Sequence, residues 1–298
     1  MKIILSGASG LVGIALKSTL NDAGYVVQCL VRGEDKQDNT IFWDPYSGKI
    51  DLDAIEGSDA VIHLSGANLA TIWTEKNKKL FRSSRIDTTA YLCNCLTKLS
   101  QPPKALISAS AIGYYGDRSD EVVTEESAPG SGFISELCRD WEAATNEATK
   151  IGIRVVNIRI GIVLSRTGGA LAKMLTPFKL GSGGAFGNGQ QYMSWITLTD
   201  LVNSIHHILI KEELSGPVNL VSPNPVTNKL FTKTLGRVLR RPTVMTIPAF
   251  VLRTTLGEMA EEMLLSGQRV HPQKLVESGY PFSHPQLKEA FNAVLGKK

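Results

Sequence analysis

The chain begins with a glycine-rich turn between a short apolar run and a segment with helical periodicity. Residues 1–13 read MKIILSGASGLVG, with glycines at positions 7, 10 and 13. The first glycine permits a tight turn, the second lets backbone N–H groups approach a diphosphate, and the third lets the helix pack closely on the strand. Unpaired N–H groups and the dipole at a helix N-terminus favour negative charge. The segment therefore predicts a dinucleotide-binding site, with an ordinary glycine-rich turn as the alternative.

The residue after the second apolar run indicates which dinucleotide is bound. An acidic residue is expected there to accept hydrogen bonds from the ribose hydroxyls. After residues 25–31, however, the chain has Arg32. A guanidinium donates charge-assisted hydrogen bonds to phosphate and has no acceptor for a hydroxyl. We therefore predict NADP(H) (NADPH in its reduced form), with Arg32 on the 2′-phosphate; the alternative is a solvated arginine at a strand end.

Composition and charge give no indication of several classes of partner. The 298 residues carry a net charge of +4, and the pI is about 8.8. Such a mild charge, without a long basic run, implies neither nucleic-acid nor membrane binding. The N-terminal apolar run is too short for a signal peptide or a membrane span, so a cytoplasmic protein is expected. The four cysteines lack the spacing of a zinc site, and no metal is predicted.

Apolar runs alternate with amphipathic segments in the first half of the chain. The runs cover residues 3–5, 26–31, 60–64, 105–108 and 154–158, and helices are expected up to about residue 24, over 75–100 and over 133–152. This alternation predicts an α/β fold, a Rossmann-type doubly wound parallel sheet. The last eighty residues, divided by prolines, predict a smaller C-terminal domain on the substrate side. We place the two domains at residues 1–215 and 216–298.

A glycine-dense segment follows the Rossmann-like pattern. Residues 181–189 read GSGGAFGNG, which indicates turns rather than a periodic element. Loops of this kind are often functional. The segment is therefore either a lid facing the substrate or a long surface connection.

A serine-rich strand end gives the first resemblance to a known family. Residues 106–116 read LISASAIGYYG. This segment resembles the extended short-chain dehydrogenases, the sugar-nucleotide epimerases and dehydratases, in which a similar strand end precedes a Tyr-Gly pair. The resemblance implies that Ser110 hydrogen-bonds the reacting oxygen of a substrate. Taken alone, Ser108 and Ser110 could equally satisfy backbone groups at a strand end.

The next motif of that family, Tyr-x-x-x-Lys, is missing. In the best register over residues 132–142, GFISELCRDWE, Ile134 replaces the tyrosine and Cys138 the lysine. With this pattern the chain is similar to an atypical short-chain dehydrogenase/reductase subgroup, the "epimerase family proteins", over its whole length. That subgroup has arginine where other members have an active-site asparagine, here Arg85. Thr197 departs from the histidine that is usual in the subgroup.

The resemblance implies a set of site residues. The implied cofactor contacts are Gly7, Ala8, Ser9, Gly10, Leu11, Val12, Gly13, Arg32, Leu64, Ser65, Gly66, Arg85, Ile160 and Val163. The candidate catalytic residues are Ser110, Tyr114 and Cys138. A thiol near Arg85 could have a lowered pKa and act as acid, nucleophile or redox sensor, or Cys138 could be a small core residue. His63, beside an apolar run, fits the core better than a catalytic base.

Two functions are compatible with these residues. The first is an NADP(H)-dependent oxidoreductase of epimerase, dehydratase or reductase type, acting on a small polar and nucleotide-linked molecule. The second is a non-catalytic NADP-binding redox sensor or regulatory protein, for example in cell division. Retention of Ser110 favours the enzyme, whereas loss of the Tyr-Lys pair favours the regulator. A homodimer is left open.

Overall fold

The structure, a computed structural model, describes residues 1–33 and 38–296. The strands are β1 (Lys2–Ser6), β2 (Val26–Val31), β3 (Thr40–Asp44), β4 (Lys49–Ile50), β5 (Ala60–His63), β6 (Ala105–Ala111), β7 (Val122–Val123), β8 (Arg154–Ile160), β9 (Ile162–Leu164), β10 (Gly184–Phe186), β11 (Tyr192–Met193), β12 (Trp195–Thr197), β13 (Gly216–Leu220), β14 (Val226–Thr227), β15 (Met245–Ile247) and β16 (Arg269–Val270). The α-helices are α1 (Leu11–Asp22), α2 (Leu52–Ile55), α3 (Glu75–Arg82), α4 (Thr88–Leu96), α5 (Phe133–Ala143), α6 (Asn146–Lys150), α7 (Gly169–Lys179), α8 (Leu198–Ile210), α9 (Asn228–Leu239), α10 (Ala249–Leu256), α11 (Glu258–Ala260), α12 (Gln273–Glu277) and α13 (Leu287–Leu295).

The continuous apolar runs form the centre of one large sheet. Its strand order is β13-β8-β6-β5-β1-β2-β3-β4, and every neighbouring pair is parallel except β3 with β4. Helices cover both faces, so strand residues such as Ile3, Ile4 and Leu5 are fully buried. The strand order reverses between β1 and β5, which opens a crevice at their carboxyl ends. The predicted doubly wound fold is confirmed.

The structure differs from the expected elements in three places. The helix expected over residues 75–100 is divided into α3 and α4 by a π-helical turn, Ser83–Asp87. The helix expected over 133–152 is divided into α5 and α6. The hairpin of β3 and β4 was not expected, because its apolar signal is only a few residues long. A π-helical turn inside a helix often accompanies a functional site, and this one contains Arg85.

A second apolar core lies outside the large sheet. It is formed by Leu164, Leu171, Leu175, Phe178, Trp195, Phe231, Leu235, Leu287, Ala290 and Phe291. The smaller lobe around it therefore combines residues 164–197 with residues from the C-terminal third. Strand β13 instead pairs with β8 in the large sheet. The domain division at 215 and 216 stays a prediction, and a boundary after Leu220 fits the sheet better.

The glycine-dense segment 181–189 is part of this smaller lobe. Its central residues form β10, which pairs in parallel with β15. A Cβ atom on Gly183 would lie 2.4 Å from the Phe178 ring, and one on Gly184 would lie 2.3 Å from the Met245 carbonyl oxygen. Close packing therefore accounts for these two glycines. In the described ranges, no helix combines the length and apolar character needed to cross a membrane.

Candidate functional site

The three glycines of the N-terminal turn have different surroundings. Gly7 has φ +73°, and a Cβ atom there would lie 2.8 Å from the Leu64 carbonyl group. A Cβ atom on Gly13 would lie 2.2 Å from the Gly7 carbonyl oxygen. A Cβ atom on Gly10 would meet only that same oxygen, at 3.4 Å. The fold thus requires Gly7 and Gly13, whereas Gly10 leaves open space beside the turn.

That space lies at the N-terminus of helix α1. Gly10 is the N-cap residue, no side chain caps this end, and the first turn contains no acidic residue. The first N–H groups of a helix have no intrahelical partner, and the helix dipole adds partial positive charge. The twelve-residue helix therefore offers a site for an anion such as a diphosphate.

A cleft of about 660 Å³ extends from this turn. It is lined by Gly7, Ala8, Ser9, Gly10, Leu30, Val31, Arg32, Trp43, Pro45, Tyr46, Leu64, Ser65, Gly66, Ala67, Leu80, Ser84 and Thr88. Eight of the predicted cofactor residues are among them. Leu11 and Val12 are half-buried in the first turn of α1, and Gly13 is buried. Sequence reasoning missed the aromatic wall of Trp43 and Tyr46, because it did not identify the hairpin that carries them.

Arg32 is among the residues that line the cleft. Its side chain is exposed, and Tyr46, which is 54% exposed, lines the same cleft. An exposed guanidinium at the end of β2 can approach a phosphate without losing its hydration to the protein interior. Arg32 and Tyr46 therefore fit the phosphorylated ribose that the sequence predicts.

Arg85 lies against two residues of the cleft lining, Gly66 and Ala67. It is buried, and its Nη2 donates a 2.9 Å hydrogen bond to the Ala67 carbonyl oxygen. A Cβ atom on Gly66 would lie 3.2 Å from the Arg85 guanidinium carbon, so the loop residue must be small. Burial lowers the pKa of Arg85 to about 10, which still leaves it charged at neutral pH. Its contact with the cofactor stays a prediction.

Ser110 belongs to a buried charged network that sequence reasoning did not identify. It is adjacent to Arg159 across strands β6 and β8. The Ser110 hydroxyl donates a 2.6 Å hydrogen bond to Glu142 Oε1. Arg159 donates from Nε and Nη2 to the two oxygens of Glu142, each at 2.8 Å. Because a carboxylate can only accept, the Ser110 proton points at Glu142 and its lone pairs remain for another donor.

The network continues through two tyrosines. Arg159 Nη1 donates to the Tyr115 hydroxyl at 2.9 Å, and that hydroxyl donates to Asn219 Oδ1 at 2.7 Å. Burial raises the pKa of Tyr115 to about 12, so it stays neutral. The ring of Tyr114, the predicted catalytic tyrosine, lies 3.5 Å from the Arg159 guanidinium carbon and is half-buried. An arginine inside the apolar strand 154–160 was the available sequence signal, since a buried arginine needs a carboxylate partner.

Helix α5 places apolar groups at the positions of the missing Tyr-Lys pair. A Cβ atom on Gly113 would lie 2.2 Å from Ile134 Cγ2, so this glycine accommodates the isoleucine. Cys138 is 2% exposed. Burial and the charge of Glu142 raise the pKa of Cys138 to about 12. The lowered pKa considered for this thiol is wrong for this structure, and its catalytic role stays a prediction.

The remaining candidates lie in or near the sheet core. His63 is fully buried, and its Nδ1 lies 2.6 Å from Ser6 Oγ. Burial lowers the pKa of His63 to about 4, which fits a neutral core residue. Ile160 ends β8 and Val163 lies in β9, both half-buried. Their approach to a nicotinamide stays a prediction.

A glutamate from the C-terminal third holds helix α5. Glu262 accepts hydrogen bonds from the backbone N–H groups of Phe133 at 2.7 Å and Ile134 at 2.8 Å. Its neighbour Glu258 forms an ion pair with Lys78 of α3. The segment 258–262 therefore ties the N-terminus of the helix that carries Glu142 to the C-terminal third of the chain.

Two family models match the chain. The model of the "NAD dependent epimerase/dehydratase family" matches residues 3–220, and the "Domain of unknown function (DUF1731)" matches residues 247–294. The first match ends at the last residue of β13.

Named relatives and solved structures are similar over nearly the whole chain. Epimerase family protein MT2273 of Mycobacterium tuberculosis is 42% identical over 289 residues, covering 97% of this chain and 95% of the relative. The crystal structure of human epimerase family protein SDR39U1 (isoform 2) with NADPH matches at a TM-score of 0.90 and 33% identity, covering all of both chains. The nucleoside-diphosphate sugar epimerase of Corynebacterium glutamicum matches at a TM-score of 0.84 and 36% identity, covering 99% of this chain and 58% of that one. The chain therefore belongs to the NAD-dependent epimerase/dehydratase family.

Proposed function

We propose that the protein is an NADP(H)-dependent oxidoreductase of epimerase, dehydratase or reductase type, acting on a small polar, nucleotide-linked substrate. The NADPH bound to the human relative and the nucleoside-diphosphate sugar in the name of the Corynebacterium glutamicum relative support this proposal. So does Arg32 at the cleft.

The described residues fit such a cofactor. The open space at Gly10 and the uncapped end of α1 would receive the diphosphate, and Arg32 would bind the 2′-phosphate. Leu64, Ser65 and Gly66 would flank the adenine ribose. When bound, NADP(H) supplies or accepts a hydride.

The observation that carries the proposal is the orientation of the Ser110 hydroxyl. Its proton is directed to Glu142, and Glu142 is held by both N–H groups of the Arg159 fork. In the proposed reaction Ser110, which is buried in this structure, would accept the proton of a substrate hydroxyl while its own proton passes to Glu142. This relay would replace proton transfer by the missing tyrosine.

Turnover tests the proposal. We expect the protein, with NADP(H), to convert one member of a panel of nucleoside-diphosphate sugars. Absorbance at 340 nm detects a net reduction or oxidation, and chromatography of the sugar nucleotide detects a redox-neutral epimerisation or dehydration. Ser110→Ala should lower kcat by about 10²-fold or more, the usual contribution of a positioned proton-transfer group. Ser108→Ala is the matched control, because this buried hydroxyl on the same strand has no hydrogen-bond partner among the described residues. Equal rates for Ser110→Ala and the wild type would contradict the proposed role.

A second candidate function is a non-catalytic NADP-binding sensor or regulator. The specific observation that favours it is the apolar filling of the Tyr-Lys positions by Ile134 and the protonated Cys138. A regulator should bind both oxidation states without turnover. Hydrogen exchange of helix α5 should then differ between the NADP⁺ and NADPH complexes, whereas identical exchange would argue against signalling through this helix.

A further inference from the structure

The positive charge of the chain is concentrated in one part of the sequence. Residues 165–199 and 214–257 contain nine Lys or Arg residues and no Asp or Glu, whereas the rest of the chain carries 23 Lys or Arg against 28 Asp or Glu. The nine are Arg166, Lys173, Lys179, Lys229, Lys233, Arg237, Arg240, Arg241 and Arg253, and all are exposed. The mild net charge of +4 therefore conceals a strongly basic region.

In the part of the chain that the structure describes, eight of these nine cations form no ion pair with a carboxylate. Arg253 forms an ion pair with Glu261. Within residues 1–33 and 38–296, no ion pair joins any of the other eight to a carboxylate. Surface cations without partners raise the local potential and attract anionic partners.

Three of these cations lie along helix α9. Lys229, Lys233 and Arg237 are spaced four residues apart and so lie on one face of the helix. Arg240 and Arg241 follow directly at its C-terminal end. The opposite face of α9 carries buried residues of the smaller lobe's core.

Exposed apolar side chains lie next to these cations. Val244 and Leu180 are 89% and 78% exposed, the highest values among the large apolar side chains described. A Cβ atom on Gly181 would lie 3.9 Å from Pro242 Cγ, which brings the end of α7 beside the segment that follows α9. Isolated exposed apolar residues are ordinary, but a cluster marks an interaction surface.

We propose that this surface, formed by Lys179, Leu180, Arg237, Arg240, Arg241 and Val244, binds the anionic surface of a lipid bilayer. Lys and Arg side chains are attracted to anionic headgroups, and protruding aliphatic side chains insert at the headgroup boundary. Single-stranded nucleic acid would instead be bound through stacking aromatic side chains, and none is present among these six residues. The contact is peripheral, and it is independent of the proposed enzymatic function.

Vesicle sedimentation with the full chain tests the proposal. We expect binding to vesicles of phosphatidylcholine with 30% phosphatidylserine, weak binding to phosphatidylcholine alone, and loss of binding in 0.5 M salt. Each cation near an anionic surface contributes about fivefold to partitioning. Four such contributions multiply to about 600-fold, so the variant K179Q/R237Q/R240Q/R241Q should partition several hundredfold more weakly.

A charge-matched control separates this surface from net charge. The variant K76Q/K79Q/K98Q/K104Q removes four exposed cations of the Rossmann part and should change partitioning less than about twofold. Leu180→Ser with Val244→Ser should weaken binding while the salt dependence remains. Unchanged unfolding midpoints establish that each variant is folded.

Three results would overturn the proposal. Equal binding to neutral and anionic vesicles would show that the cations are not used. Equal losses in the two quadruple variants would indicate a net-charge effect rather than this surface. Binding to single-stranded DNA that depends on the same four cations, without vesicle binding, would assign the surface to nucleic acid instead.

Discussion

The three glycines of the N-terminal turn differ in how much space their surroundings leave for a side chain. A side chain at Gly13 would collide with the Gly7 carbonyl oxygen, whereas a side chain at Gly10 would enter open space. The sequence motif predicts a different role for each glycine: a tight turn at Gly7, close approach of a diphosphate at Gly10, and helix packing at Gly13. The surroundings of Gly7 and Gly13 leave no room for a side chain, whereas Gly10 leaves the open space that a bound diphosphate would need.

We therefore expect Gly10→Val to abolish binding of NADPH while the protein stays folded, at a cost of about 1 kcal/mol for the poorer N-cap residue. Gly13→Ala should destabilise the protein by about 1–3 kcal/mol through overpacking. Cofactor fluorescence titration and chemical denaturation of both variants measure the two effects. Retained binding in Gly10→Val would mean that the turn is only structural.

Arg32 is the second residue with a defined prediction. Because its guanidinium would pair with the 2′-phosphate, NADPH should bind at least tenfold more tightly than NADH, about 1.5–3 kcal/mol for a charge-assisted hydrogen bond. Arg32→Ala should remove this preference and leave the affinity for NADH unchanged. Arg139→Ala is the control, because this exposed arginine does not line the cleft and its removal should leave the preference for NADPH unchanged. Equal affinities in the wild type would contradict the assignment.

At the scale of elements, helix α5 depends on a residue far away in the chain. Its own N-cap, Gly132, offers no side chain, and the two oxygens of Glu262 accept the N–H groups instead. The contact joins residues about 130 positions apart, so no local sequence motif reveals it. The helix carries Ile134, Cys138 and Glu142, and its placement therefore depends on the C-terminal third.

Glu262→Ala should lower the free energy of unfolding by about 1–2 kcal/mol, the usual cost of losing a helix cap. Glu258→Ala is the matched control, since this exposed glutamate contributes only a surface ion pair, worth about 0–1 kcal/mol. Urea denaturation of the two variants gives the comparison. Equal small losses would show that α5 is held without the cap.

At the scale of the whole molecule, the buried His63 couples folding to pH. Its pKa is about 4 in the folded chain and about 6.5 in the unfolded chain, because burial disfavours the charged ring. The unfolded state therefore takes up a proton first as the pH falls. The stabilisation is complete above pH 6.5 and is lost as the pH falls through 4.

We expect this histidine to account for about 3 kcal/mol of stability lost between pH 6.5 and 4. His63→Gln should lower the stability at pH 7 but reduce the pH dependence over this range. The difference between the two proteins isolates the histidine from the carboxylates, which titrate in both. Parallel stability curves would show that His63 is not the titrating group.

Local sequence patterns were sufficient to predict a large part of the fold of this protein. The apolar runs and the glycine turn predicted a doubly wound sheet and the turn from which its cleft extends, because both depend on residues adjacent in the chain. The divided helices at residues 75–100 and 133–152 and the hairpin of β3 and β4 were not predicted. The breaks in the two helices are too short to be seen in the sequence pattern of a continuous helix. The apolar runs of β3 and β4 are too short to be distinguished from a loop.

Only the tertiary structure decided what surrounds Ser110. The serine and Cys138 were identified from the sequence, but the pairing of Ser110 with Glu142 and Arg159 joins residues from β6, α5 and β8. The same packing buries Cys138 and raises its pKa, opposite to the expectation from a nearby arginine. Desolvation and long-range ion pairing depend on where the chain folds back on itself, and a linear pattern contains no measure of either.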